Sequence, residues 1–506
     1  MHGLAALTFL GISTLLRAGG DDVAIGRSIS VATSDLSCDA IQSAHPAGIR
    51  FREVGDHTLV TNEAGRFAML ESSGSQSQSD PSFKLPDAIK TALIPENRLS
   101  KLAQTFEAAK RRTRAGPLDY LILVPTLRCN LACSYCQVSR AAIGASGHDW
   151  DDGTLAAVLS LVSSLSSASI KIEFQGGEPS LRPDLIEAVI NAVPPATTAS
   201  FVICTNLQII NDGILAIFDR PDVLISTSLD GPEELHSKQR QGDAVRAREF
   251  HKNLNWLIDR YGPGKISALP TINPQALPDP DALIDAYSSL GLHSLYLRPI
   301  NFQGFARKRH ASARQTDGSW SAYHERFIDR LIERNFLDRT KVLEETYFSL
   351  ILRRIFQPGA DRHVDLRNPN PVGRDYIVID YDGMAYPTDE ARMLTRSGVI
   401  DLSIGNVAEG WDSDARAALE AASTNDGDPT CEKCAYKPYC GRDIIDDISR
   451  YGTIDTPKEE TEFCRRHLSL FDLAFKMIHS KDPAVRYSLG RWLGLGSDLP
   501  AMESAA

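Results

Sequence analysis

The segment "LRCNLACSYC" places three cysteines, Cys129, Cys133 and Cys136, within eight residues at the spacing C-x3-C-x2-C. Three thiols are an odd ligand set, because a closed zinc site takes four and a disulfide takes two. Either a distant residue completes a zinc site, or the bound group keeps one coordination position open. A second group follows, Cys431-x2-Cys434-x5-Cys440 and then Cys464. By themselves those four suit structural zinc or an iron–sulfur cluster. The two groups hold seven of nine cysteines in a chain of 506 residues, which argues for metal ligation over a disulfide framework. Cys204, inside an apolar run, reads as a small buried core residue.

Further polar motifs follow the loop at the ends of β-rich runs: Thr205-Asn206, "GGEP" from Gly176, and "SLDGP" from Ser228 with His236 and Arg240 beyond it. With them the chain resembles the radical S-adenosylmethionine (SAM) superfamily, whose signature is C-x3-C-x2-C with an aromatic, here Tyr135, before the last cysteine. The resemblance implies that Cys129, Cys133 and Cys136 bind three irons of a 4Fe–4S cluster and leave the fourth iron free to chelate SAM. It implies that Gly176, Gly177 and Glu178 hold the methionine amino group. The glycines would let the backbone approach the ligand, and Glu178 would accept from the ammonium. Ser228, Asp230, Thr205, Asn206 and Tyr135 join this set, as does Arg240, whose plain reading is a surface arginine on a helix.

The second cysteine group resembles the SPASM domain, which usually holds two auxiliary clusters on a pattern that includes C-x2-C-x5-C-x3-C. Here Ile444 stands at the x3 position. In "DGMAYPTDEARM", Thr388 stands where the family stretch "G-x-x-Y-P-C-D" has its cysteine. In the family the missing cysteines serve the cluster nearer the active site. The resemblance therefore implies one auxiliary 4Fe–4S cluster on Cys431, Cys434, Cys440 and Cys464, with zinc as the fallback. Asp389 occupies the position where formylglycine-forming relatives carry a proton-accepting aspartate. Its plain reading is the N-cap of a helix.

"TLRCNLACSYCQVSR", "YPTDEARM" and "HTLVTNEAGRFAML" most resemble the radical SAM maturases of His-Xaa-Ser peptide systems. That implies hydrogen abstraction by a 5′-deoxyadenosyl radical from a ribosomally made precursor peptide, giving a crosslink or another oxidative modification. The implied partners are that peptide, a second radical SAM maturase and an external electron donor. A formylglycine-forming, sulfatase-type maturase is the competing enzyme, disfavoured by the missing inner cysteines. A radical SAM-like peptide escort without catalysis is disfavoured by the intact loop cysteines and Glu178.

These residues need a scaffold that brings them together. Six β-rich runs between residues 118 and 300 alternate with helical patterns at 152–167, 184–193, 245–261 and 279–290. Alternation of this kind predicts βαβ units, an α/β fold built as a partial (β/α)6 barrel with its chemistry at the strand C-termini. The expected organisation is an extension at 1–45, a strand and helix segment at 46–115 suited to peptide recognition, a core at 116–315, and bridging helices at 316–374 (within it, 321–335 and 341–356). A SPASM-like domain at 375–470 and a helical tail at 471–506 complete it. A Ser/Gln-rich linker is expected at 72–82.

With 42% hydrophobic residues the chain is ample for a large core, and a formal net charge of -11 excludes an extended basic face for nucleic acid. The run from Lys110 to Arg114 reads as a solvated helix end. The apolar stretch at 4–16 is too short to span a bilayer and no Lys or Arg precedes it, so it reads as a weakly ordered extension. A cytoplasmic enzyme without membrane or nucleic-acid partners is expected.

Overall fold

The computed structural model describes residues 29–34, 48–73, 87–133, 135–136, 140–241, 244–310, 318–359, 364–500 and 503–504. Most of the expected extension at 1–45 and most of the linker at 72–82 lie outside these residues. Within them, Ile29–Ser34 is a strand, and the strand Phe67–Ser73 takes the first two linker positions.

Five of the β-rich runs form parallel strands of one sheet: β1 Tyr120–Leu123, β2 Ser169–Phe174, β3 Thr198–Cys204, β4 Val223–Ser228 and β5 Ile266–Leu269. Each is short, built around buried apolar residues and followed by a turn, and β2 also carries Lys171 and Glu173. Helices Asp152–Ser163, Pro183–Ala192, Asp212–Phe218 and Ala244–Tyr261 return the chain between them. Leu185, Ile186, Val189 and Ile190 show how such a helix packs: the four are buried on one 3.6-period face.

The sixth expected strand, "HSLYLRPI", does not join this sheet. It splits into Ser294–Leu295, paired with Glu344–Glu345, and Arg298–Pro299, paired with Thr271–Ile272. Pro299 has no N–H to give a ladder, which limits that pairing. The sixth parallel strand comes from further along the chain. β6, Tyr376–Ile379, aligns with β1 in the register Ile377 to Leu121, and β7, Ala385–Tyr386, adds antiparallel beyond it. The sheet order is β5-β4-β3-β2-β1-β6-β7. The segment 375–470 thus begins inside the main sheet, where the fully buried run "YIVI" covers the otherwise open edge of β1.

The bridging helices are Ser319–Leu337 and Thr346–Phe356. The second starts later than its pattern predicts because Glu345 caps it, accepting from Phe348 N at 2.6 Å. Helices Asp389–Arg396, Ile444–Tyr451, Glu462–His479 and Pro483–Trp492 follow.

The N-terminal meander is Arg50–Val54, His57–Thr61 and Phe67–Ser73, antiparallel with Phe51 opposite Val60 and Leu59 opposite Met69. It packs on the segment that carries the second cysteine group: Thr61 Oγ1 donates to Ala435 O at 2.8 Å, and Tyr439 OH donates to Gly65 O at 2.9 Å. The basic run is not simply solvated. Arg111 donates to the carbonyls of Ala64 and Arg354, both at 2.6 Å, and Arg112 pairs with Asp426 at 2.7 Å. Among the described residues no helix is long and apolar enough to cross a membrane.

Candidate functional site

The chain leaves β1 and turns through the cysteine loop across the C-terminal end of the sheet. Its entry is fixed by Asp149, which accepts from Thr126 Oγ1 at 2.5 Å and Arg128 Nε at 2.8 Å and pairs with Arg182 at 3.0 Å. Cys129, Cys133 and Cys136 are all partly buried and open onto one cavity of about 1370 Å³. Gly176, Gly177, Glu178, Thr205, Asn206, Ser228, Arg240 and Tyr135 reach the same cavity.

The glycines of "GGEP" fit closely against the cysteine loop as well as reaching the cavity. A Cβ on Gly177 would stand 2.2 Å from Arg128 O, and one on Gly176, whose φ is +133°, would stand 2.2 Å from Thr126 O. Only glycine lets this turn lie flat against the residues that lead into Cys129, and Gly177 N and Glu178 N donate to Thr126 O and Arg128 O at 2.9 and 2.8 Å. The Glu178 carboxylate is buried and accepts from Asn206 N at 2.7 Å and Ser180 N at 3.1 Å; burial raises its pKa. After β3, Leu207 holds a left-handed φ of 57°, stabilised by its N–H donating to Thr205 Oγ1 at 3.1 Å and by Asn253 donating to its carbonyl at 2.7 Å. The turn brings Asn206 Nδ2 to 3.8 Å from Cys129 Sγ.

Asp230 is held by protein partners. It is fully buried and is not part of the cavity wall: its oxygens take Tyr135 OH, Arg240 Nε at 2.8 Å and Thr271 N at 2.9 Å. Arg240 is no surface arginine, since its guanidinium lies 5.0 Å from the Tyr135 ring centroid and its side chain is 16% exposed. His236 packs behind them on Phe250, and burial pulls it down to about 3, so it stays neutral.

Cys204 also departs from the apolar reading. Its thiol donates to Glu173 Oε1 at 3.2 Å, inside a network that adds Gln175 at 2.6 Å and Tyr120 OH at 2.7 Å. Burial alone would raise Glu173, but Lys171 at 3.0 Å and these donors bring it down to about 2. The isolated apolar run around Cys204 gave no sign of that carboxylate.

Asp389 and Glu390 line the same cavity. Thr388, not Asp389, caps the helix Asp389–Arg396, accepting from Ala391 N at 3.0 Å. Asp389 is freed from that task and pairs with Arg392 at 2.8 Å. Glu390 is pushed up to about 7 by burial and by the neighbouring charges of Asp389 and Asp365. Ile444, at the other missing-cysteine position, is buried against Ala391 and Leu394. Both positions have structural occupations.

Cys431, Cys434, Cys440 and Cys464 gather where the helix Pro429–Lys433 meets the first turn of Glu462–His479. Burial raises all four thiols, and Cys431 is raised further by the charges of Cys440, Asp428, Cys434 and Cys464. In the loop, burial pushes Cys129 up to about 12 and Cys133 up as well. Crowded, raised thiols are poor nucleophiles and give up their protons when a cationic group replaces them, which is the behaviour of ligands. Among the described residues no three His, Cys, Asp or Glu side chains converge on the position of one ion. Four thiols gathered in this way suit a 4Fe–4S cluster, in which each thiolate meets a different iron, or a structural zinc.

Residues 123–279 match the family model described as Radical SAM superfamily. This part of the chain is a radical SAM domain. The chain is 33% identical over 119 residues to an uncharacterized protein of Methanocaldococcus jannaschii, covering 23% of this chain and 40% of that relative. The match thus spans less than half of that relative's length. It is 24% identical over 346 residues to the cysteine-type anaerobic sulfatase-maturating enzyme of Clostridium novyi (strain NT), covering 64% of this chain and 86% of that enzyme. Native anSMEcpe with bound AdoMet and Cp18Cys peptide shares the fold, with a TM-score of 0.58 at 19% identity over 71% of this chain and 97% of that one.

Proposed function

We propose that this radical SAM protein is an enzyme that modifies a ribosomally made precursor peptide by hydrogen-atom abstraction. The observation that carries the reading is one cavity lined by the three loop cysteines and Glu178 together with the carboxylates of Asp389 and Glu390. Cys129, Cys133 and Cys136 would hold a 4Fe–4S cluster, with Glu178, Asn206, Ser228 and Arg240 around bound SAM. With one electron from an external donor, such a cluster would supply the reductive cleavage of SAM to methionine and a 5′-deoxyadenosyl radical, which takes hydrogen from an unactivated carbon. The chain's own part is to position that carbon, exclude water and accept a proton when the substrate is oxidised. Asp389, held by Arg392, and Glu390 beside it are the carboxylates available for that proton.

Asp230 acts in this reading through Tyr135 and Arg240, as a positioning residue. The four C-terminal cysteines hold one auxiliary 4Fe–4S cluster, which makes 375–470 SPASM-like with its inner site closed by Thr388 and Ile444. The motifs around Cys129 and Thr388 favour a peptide of the His-Xaa-Ser type, modified with a second radical SAM protein and an external electron donor in the cytoplasm. The resemblance to a sulfatase-maturating enzyme over 346 residues supports formylglycine formation as a second reading. Co-expression with a genomically neighbouring precursor peptide and mass spectrometry separate the two. Loss of two hydrogens with a new side-chain bond supports the first, formylglycine at a Cys or Ser supports the second, and an unmodified peptide without 5′-deoxyadenosine would leave only an escort.

A further inference from the structure

We infer that the N-terminal sheet forms the outer half of the second cysteine site, holding the 431–440 segment in the path that brings its thiols together. The inference rests on the reading of those cysteines as ligands of an auxiliary cluster. The segment has little regular structure of its own: one five-residue helix, Pro429–Lys433, and turns closed by Lys437 N to Cys434 O at 3.0 Å and Cys440 N to Tyr436 O at 2.9 Å. A loop of that kind does not by itself fix where three side chains point.

The sheet supplies what the loop lacks, and it does so in both gaps between the cysteines. Between Cys431 and Cys434, Arg50 Nε donates to Glu432 O at 2.8 Å. Between Cys434 and Cys440, Thr61 Oγ1 donates to Ala435 O at 2.8 Å, and Tyr439 OH donates back to Gly65 O at 2.9 Å. Arg50, Thr61, Ala435 and Tyr439 are each at most 2% exposed, so water cannot replace a lost partner. The fourth ligand is tied to the same sheet. Arg52 forms two 2.6 Å bonds to Asp472, eight residues along the helix that begins beside Cys464. A third element therefore sets loop and helix relative to one another. These are positioning residues, and residues 48–73 serve the cluster whether or not they also meet a peptide.

The test uses the full chain with Cys129, Cys133 and Cys136 all changed to Ala, reconstituted anaerobically with iron and sulfide, so that the second site's iron is counted alone. Iron release to a chelator is followed for this parent and for Thr61→Val, Thr61→Ser and Tyr439→Phe added to it, with thermal unfolding of each iron-free form as the control. Thr61→Val leaves Ala435 O unpaired, and Tyr439→Phe unties Tyr439 from the sheet and leaves Gly65 O only its 3.3 Å bond from Arg111, so each should release iron about tenfold faster, while Thr61→Ser behaves as the parent. The iron-free forms should unfold within a few degrees of one another. Parental release rates in both Thr61→Val and Tyr439→Phe would overturn the inference. A parent that binds no iron would overturn the auxiliary-cluster reading itself and this inference with it.

Discussion

The hydroxyl of Tyr135 donates to the carboxylate of Asp230, joining the cysteine loop to the end of β4. Arg240 closes over both, with Nε 2.8 Å from Asp230 and its guanidinium against the Tyr135 ring. Asp230 is fully buried and Arg240 is largely so, with a side chain 16% exposed, so the members differ in what their loss costs. Asp230→Asn leaves a buried guanidinium without its counter-ion and should destabilise the fold by about 3 kcal/mol. Tyr135→Phe removes one hydrogen bond and should leave the unfolding temperature within a few degrees while slowing 5′-deoxyadenosine formation about tenfold. Thermal melts beside a product assay check both.

Gly177 tests the claim that "GGEP" shapes the cysteine loop. Its Cβ would meet the carbonyls of Arg128 and Leu127 at 2.2 and 2.3 Å, both backbone atoms with no flexible end to move. Gly177→Ala should therefore displace the entry to Cys129 and lose the first site's iron while the second site keeps its own. Iron retention of about four per chain after reconstitution is the expected value. Full iron would show that the turn has room.

Thr388 is an N-cap, so Thr388→Ala should cost about 1 kcal/mol of stability without touching SAM cleavage. Thr388→Cys should add no iron, because the partner position is Ile444, buried among Ala391, Leu394 and Ile445. Denaturant melts and iron analysis of the two variants decide this.

Glu390 carries a pH signature. Its carboxyl is raised in the folded protein from 4.5 to about 7, so the folded state prefers the protonated form. The stability that this gives is fully present below pH 4.5 and is lost as pH rises through 7. Glu390→Gln should therefore match the parent near pH 4.5 and exceed it in stability at pH 8. If Glu390 takes the substrate's proton, product formation in the parent should climb through pH 7 while SAM cleavage does not, and Glu390→Gln should lose the climb. Asp389→Asn gives the complementary test, stalling product with SAM cleavage intact if Asp389 is the acceptor.

Much of the scaffold was legible because its signals are local. The strands from β1 to β5 are short runs built around apolar residues and followed by turns, and the cysteine spacings need no tertiary knowledge. What was hidden depends on distant partners. β6 lies more than 250 residues from β1, and only the open edge of β1 explains its place. Nothing in "SLDGP" reveals Tyr135 and Arg240 closing around Asp230. Cys204 looked apolar because Glu173 sits on the neighbouring strand. Thr388 took the cap that Asp389 was read as holding, since both residue types cap well and only the backbone decides between them.

The central claim is that Cys129, Cys133 and Cys136 hold a cluster that cleaves SAM. The direct measurement is 5′-deoxyadenosine formed by the anaerobically reconstituted protein with dithionite and SAM, compared with Cys133→Ala. The parent should carry about eight irons and form 5′-deoxyadenosine. Cys133→Ala should form none while keeping its fold and about four irons at the second site. Equal 5′-deoxyadenosine from both proteins, or none from a fully iron-loaded parent, would contradict the account.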